Sequence, residues 1–283
     1  MGNFITGYPS RYFTSINGAA DGGQNRTKRK AHARIHSPER KRSRGSPMVR
    51  AVLFDLDGTL LDIDLDRFLE RYFAALRVVA VETAGAEHAD RVMEAIQRSV
   101  RAMMEPHPML TNRAVFEAEY ERISGWALGD VWPAYERFYA EVFPTLADAT
   151  GPVPGARRAI ETALELGLSV AIATNPIFPR AAVDHRLAWA GLGDLDLPVV
   201  TTYEDMMACK PLPAYFIQVA EMLDVPASDC MMVGDDRYLD MPAADVGMRT
   251  FYVGKHEDTV ATYAGTVQDL AALLPRLIAT DVV

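Results

Sequence analysis

Short apolar runs that end in polar loops, with helical spacing between them, limit this chain to a sheet buried on both faces. The runs are Val49-Arg50-Ala51-Val52-Leu53-Phe54, Leu168-Ser169-Val170-Ala171-Ile172-Ala173, Val199-Val200-Thr201-Thr202, Cys230-Met231-Met232-Val233 and Thr250-Phe251-Tyr252-Val253. They do not alternate in polarity, and runs of this length read as buried strands. Between and after them, residues 156–166, 213–223 and 267–279 read as helices, the first with Ile160, Ala163 and Leu164 on one face and Gly167 as its stop. Strands alternating with helices imply a parallel sheet covered on both faces, an α/β, Rossmann-like core. In such sheets ligands bind beyond the carboxyl ends of the strands.

The alternation is interrupted once. Residues 64–147 carry no comparable run and instead place Phe68, Tyr72, Leu76 and Val79 at steps of three and four. Breaks near Gly85, at Pro106-His107-Pro108 and around Gly125 to Asp130 divide the stretch into about four helices, with Thr111-Asn112 as a cap for the third. The expected organisation is a core of residues 48–62 and 151–283 and an inserted helical bundle of residues 63–150.

Residues 1–47 hold ten Lys/Arg against two acids, so a chain of net charge −9 has a basic arm and a strongly acidic body. Without apolar periodicity the arm cannot offset ordering entropy and reads as disordered. Its pieces also match other signals: Met1-Gly2-Asn3-Phe4-Ile5-Thr6 a myristoylation pattern, Lys28-Arg29-Lys30 and Arg40-Lys41-Arg42 a nuclear or nucleic-acid tag, and its Arg-rich character a transit peptide. Met48 would serve as a start just before the first strand. No apolar run approaches the roughly 20 residues of a membrane span. The two cysteines, Cys209 and Cys230, give neither a disulfide framework nor a zinc spacing. These features point to a cytoplasmic protein whose acidic body binds neither membrane nor nucleic acid.

The chemistry-bearing residues follow the strands. Asp55-Leu56-Asp57-Gly58-Thr59 follow the first, Thr174-Asn175 the second, Lys210 the third and Asp235-Asp236 the fourth. In this order the four segments resemble the four motifs of the haloacid dehalogenase-like (HAD) superfamily, over residues 49 to about 255. The helical stretch between the first and second motifs resembles the cap of the subgroup with a small helical insertion there. The resemblance implies Asp55 as covalent nucleophile, Asp57 as acid and base, and Mg²⁺ held by Asp55, the backbone carbonyl of Asp57 and Asp235. Asp236 and Asp240 would then act in the outer shell or through water.

Elementary electrostatics supports the same roles. A carboxylate approaching a phosphate dianion is repelled by roughly 8 kcal/mol at 4 Å and an effective dielectric of 20. Attack therefore needs cations between them. Asp55 and Asp235 offer hard oxygen ligands suited to Mg²⁺. Lys210 adds a fixed positive charge, and Thr174 and Asn175 offer neutral donors to phosphoryl oxygens. Asp55, as an ordinary ionised Asp, would attack, and Asp57 would protonate the leaving alkoxide. Gly58 lets the chain turn close to phosphate beside Thr59. Asp240 would cap the segment around Pro242 or hold Lys210. Within the resembling family, an acid at position 57 points to phosphatase or phosphomutase, since dehalogenases lack an acid there and transport ATPases carry Thr. Residues 62–150 contain no lysine, which argues against the phosphonate-cleaving branch. Substrate contacts are expected from Asn112 and Arg113, with Arg67, Arg71 and Tyr120 as further candidates in the helical insertion. The expected activity is hydrolysis of a small phosphate ester. A non-catalytic binding protein that docks through its arm is the reading from another class.

Overall fold

The computed structural model describes residues 49–148, 150–254 and 261–279. The basic arm 1–47, Met48 and His256 lie outside the described residues. Six strands form one wholly parallel sheet: β1 (Ala51–Phe54), β4 (Ser169–Ile172), β5 (Val199–Val200), β6 (Cys230–Gly234), β7 (Arg249–Val253) and β8 (Tyr263–Gly265), in the order β5-β4-β1-β6-β7-β8. All four residues of β1 are fully buried, as a central strand covered on both faces requires. The sheet grows from β1 through β4 to β5 on one side and from β6 to β8 on the other. The reversal beside β1 is the topological switch point at which such sheets bind ligands.

Helices α5 (Ala156–Glu165), α6 (Arg180–Trp189), α7 (Pro213–Met222) and α8 (Val267–Ala279) belong to this half of the chain. Tyr215, Phe216, Val219 and Ala220 of α7 pack on Ala51, Leu53, Ala171 and Met232 of the sheet. Cys209 and Cys230 are free and buried. Met103, Met206, Met231 and Met232 are buried, whereas Met207 is turned outward.

Between β2 (Leu61–Asp62) and β3 (Gly151–Pro152) the described residues are helical: α1 (Leu65–Ala84), α2 (Ala89–Met104), α3 (Asn112–Ser124) and α4 (Leu128–Arg137), then a π-helical turn at Phe138–Val142 and a 3₁₀ turn at Phe143–Leu146. β2 and β3 pair antiparallel, Leu61 opposite Pro152, so the chain enters and leaves the helical segment through one two-strand ribbon. Thr111 caps α3, its side chain accepting from Ala114 N at 3.1 Å. No described helix is long and apolar enough to cross a membrane.

Candidate active site

Strand register brings the first, second and fourth motifs to one level. Phe54 lies opposite Ile172 on one side and Val233 on the other. The ladder continues one residue further: Asp55 N donates to Val233 O at 2.8 Å, and Ala173 N to Phe54 O at 2.6 Å. Asp55, Thr174 and Asp235 therefore leave three neighbouring strands side by side. Gly58 has φ +83°, and a Cβ there would collide with the Asp235 carboxylate, so the turn needs glycine both for its backbone and for the close approach. Thr59 is fully buried and donates through Oγ1 to Asp235 Oδ1 at 3.1 Å.

Lys210 enters from the loop between β5 and α7. Its backbone N donates to Asn175 Oδ1 at 3.1 Å, and its buried Nζ donates to Asp55 Oδ1 at 2.7 Å and Asp240 Oδ1 at 2.6 Å. Of the two sequence roles for Asp240, the structure displays the bond to Lys210; Asp240 Oδ2 also accepts from Asp236 N at 3.0 Å. Asp236 Oδ1 accepts from Tyr238 N and Leu239 N, which makes Asp236 a turn-closing residue. Thr174 lends its carbonyl to Thr201 Oγ1 and Tyr215 OH at 2.7 and 2.9 Å. Asn175 Nδ2 is buried and has no hydrogen-bond partner among the described residues.

Carboxylate oxygens of Asp55, Asp235 and Asp240 lie within 4.8 Å of one another. Burial pushes the Asp235 carboxyl up to about 7, and the nearby Asp55 charge adds to the rise. Burial pushes Asp240 up to about 8 against the pull of Lys210, with Asp55 again adding. Asp55 is likewise raised by burial, and Lys210 draws it back down. Asp55 thus departs from the ordinary Asp expected of it, because the sheet removes it from water. Three carboxylates against one ammonium leave two uncompensated negative charges when all are ionised. A hard, oxygen-seeking divalent cation fits that donor set and that charge, as Mg²⁺ does.

The raised carboxyls have a thermodynamic consequence. Asp in the unfolded chain titrates near 3.9. Folding therefore takes up protons between about pH 4 and the folded values of about 7 and 8 at Asp235 and Asp240. Their contribution is fully present below the unfolded value and is lost as pH rises through the folded ones. Metal-free protein is expected to lose stability from pH 6 to pH 8, and Mg²⁺ to raise the unfolding temperature more at pH 8 than at pH 6. Thermal melts with Mg²⁺ and with EDTA check this; an equal Mg²⁺ shift at both pH values would contradict it.

Other sequence candidates lie elsewhere. Asn112 is buried at the start of α3, where Nδ2 donates to Pro176 O at 2.9 Å and its backbone N to Met206 O at 2.7 Å, so it ties the helical segment to the sheet's loops. Arg113 is exposed and paired with Glu117 at 2.7 Å. Arg71 pairs with Asp148 at 2.8 Å, Tyr120 is buried with its hydroxyl 3.5 Å from that of Tyr135, and Arg67 is exposed. None of these belongs to the carboxylate cluster. Asp57 turns its carboxylate toward a residue that sequence reasoning missed. Its Oδ2 pairs with Arg186 Nη1 of α6, and its Oδ1 is buried without a partner. The one signal for Arg186 was a charge set among Ala182, Val183, Leu187 and Ala190, all of them buried.

A parallel sheet that places carboxylates and one buried lysine at its switch point defines an α/β enzyme with a carboxylate-centred site. The sequence matches the family described as haloacid dehalogenase-like hydrolase over residues 49–246, and the chain belongs to that family. It is 28% identical over 240 residues to a ribulose-1,5-bisphosphate 5-phosphatase of Halopiger xanaduensis, covering 76% of this chain and 89% of the relative. It is 30% identical over 191 residues to a phosphoglycolate phosphatase of Neisseria gonorrhoeae, covering 67% and 73%. The crystal structure of a HAD phosphatase from Thermococcus onnurineus shares the fold, with a TM-score of 0.50 and 22% identity over 80% of this chain and 97% of that one.

Proposed function

We propose that the chain hydrolyses a small phosphorylated metabolite with Mg²⁺, through an aspartyl-phosphate on Asp55. It is a phosphoric monoester hydrolase of the HAD type, a reading supported by its family and by its phosphatase relatives. The observation that carries the mechanism is Lys210 Nζ bonded to both Asp55 and Asp240 beside the Asp235 carboxylate. That arrangement fixes the Asp55 carboxylate at the strand end with its Oδ1 engaged by the ammonium.

Asp55 attacks phosphorus, and the bond from phosphorus to the ester oxygen breaks with its electron pair on that oxygen. Asp57 supplies the proton that lets the leaving group depart as an alcohol. In the second half, water attacks the aspartyl-phosphate, Asp57 takes its proton, and Asp55 is released as a carboxylate. Asn175 Nδ2 and the Lys210 ammonium serve the phosphoryl oxygens, and Gly58 and Thr59 shape the loop around them. Asp55, Asp235 and the backbone carbonyl of Asp57 would hold Mg²⁺, which when bound supplies charge neutralisation for the carboxylates and the phosphoryl group. Asp240 positions Lys210. Residues 63–150 act as a cap over the site, entered and left through the β2–β3 ribbon. The enzyme works in the cytoplasm.

Release of inorganic phosphate from a panel of phosphorylated metabolites tests the reading. Phosphoglycolate and ribulose 1,5-bisphosphate come first, because relatives carry those names. Turnover with Mg²⁺ that disappears in EDTA is expected for at least one compound. Failure of every member to release phosphate in a metal-dependent way would remove the proposal.

A further inference from the structure

We propose that Arg186 is a positioning residue for the general acid: it grips Asp57 by Oδ2 and so assigns Oδ1 as the oxygen that exchanges protons with the substrate. This rests on the proposed role of Asp57.

Among the described residues, the buried charged side chains are Asp55, Arg186, Lys210 and Asp240. Three of them form the carboxylate–lysine cluster. The fourth, Arg186, is only 1% exposed and makes its ion pair with Asp57. A buried guanidinium carries a desolvation penalty of several kcal/mol, so its placement needs a compensating partner. The surroundings hold it on several sides. Nε reaches Ala182 O at 3.4 Å, the guanidinium lies 4.6 Å from the centre of the Phe178 ring, and Nη1 binds Asp57 Oδ2. α6 thus delivers a fixed, planar donor to the loop after β1.

A free Asp exchanges its two oxygens by rotating about its last side-chain bond. One held by a buried arginine does not. Oδ2 is occupied, whereas Oδ1 is buried with no partner. An unsatisfied buried acceptor costs about 1–3 kcal/mol, so this oxygen is held ready for a group that arrives with the substrate. In the first half-reaction the Oδ1–H bond breaks as the phosphorus–oxygen ester bond breaks, and the ester oxygen receives the proton. In the second half, Oδ1 receives a proton from the attacking water. A lysine at position 186 would keep the charge but lose the Nε contact with Ala182 O and the guanidinium's place over the Phe178 ring.

The test separates proton delivery from folding by the choice of leaving group. p-Nitrophenolate departs without a proton, whereas an alkoxide needs one. The rate at which the enzyme is phosphorylated is measured by rapid quench with p-nitrophenyl phosphate and with an alkyl monophosphate that the wild type turns over. Arg186→Gln is expected to slow phosphorylation by the alkyl ester about 100-fold, the lower scale of general-acid catalysis. It should leave the p-nitrophenyl rate within about threefold. Arg186→Lys should lie between wild type and Arg186→Gln, and it carries the same comparison if the Gln variant does not fold. In an Asp57→Asn background, Arg186→Gln should add nothing, because residues acting as one unit are not additive. Parallel losses with both esters, or full additivity with Asp57→Asn, would overturn the assignment. A wild type inactive on both esters would take down the proposed function as well, whereas an active wild type with parallel losses removes only the role of Arg186.

Discussion

Asp55→Asn is expected to abolish phosphate release, with kcat lower by about 10⁴-fold or more, the scale on which losing a covalent nucleophile acts. The amide fits the same space and keeps an oxygen for Lys210 Nζ, which lies 2.7 Å from Oδ1 in the native protein. It has no charge with which to attack phosphorus. The fold should tolerate the change. Burial already pushes the Asp55 carboxyl up, so a neutral group there relieves part of a desolvation cost. Asp235 and Asp240, both raised in part by the Asp55 charge, should fall toward the ordinary range. The expected signature is therefore an inactive protein with an unfolding temperature at or above that of the wild type at pH 7.5 in EDTA. Steady-state kinetics and a thermal melt on the same preparation measure it. Substantial residual turnover would exclude Asp55 as the nucleophile, and an inactive but strongly destabilised protein would point to a structural part for its charge.

The sequence was most legible where a physical constraint acts locally. Strands β1, β4 and β6 are short, continuous and largely apolar because both faces are covered, and they and β7 fall within about a residue or two of their expected bounds. That Asp55, Thr174 and Asp235 lie side by side was legible because each follows a strand of a parallel sheet. What was not legible depends on neighbours distant in sequence. β8 is three half-buried residues, recognisable only once β7 lies beside it. β2 and β3 have two residues each, too few for a period. Arg186 stands 129 positions from the aspartate it holds, and only the packing of α6 beside the loop after β1 joins them. Asn112 and Arg113 look like ligand contacts in a list of polar residues. In the structure Asn112 bonds Pro176 and Met206 and Arg113 pairs with Glu117, contacts that no local pattern announces. The upward shift of the cluster's carboxyls was equally out of reach, because burial is a property of the assembled sheet.

Lys210→Met is expected to cost both stability and activity, and the pH dependence of the stability loss identifies its cause. The ammonium is 1% exposed and lies 2.7 and 2.6 Å from carboxylate oxygens of Asp55 and Asp240. Methionine fills the apolar stem but leaves two buried carboxylates facing each other without a cation. Removing one partner of a buried pair costs about 3–5 kcal/mol, which for a chain of this size is a fall of roughly 10 °C in unfolding temperature. Burial and mutual repulsion would then act on Asp240 unopposed, raising it beyond the value of about 8 it has beside Lys210. A folded carboxyl so raised is satisfied while protonated and loses stability as pH rises through its folded value. Lys210 itself is shifted upward from an already basic range and contributes no titration of its own below pH 8. The gap between variant and wild type in EDTA should therefore be widest at pH 8 and narrow toward pH 5. Mg²⁺ should restore part of the stability at pH 8, since a divalent cation compensates the same carboxylates. It should not restore turnover, for which a loss of about 10²–10³ in kcat is expected when one fixed electrostatic donor is removed. A pH-independent stability gap would mean that Lys210 packs rather than pairs, and full recovery of kcat with Mg²⁺ would mean that its charge serves the fold alone.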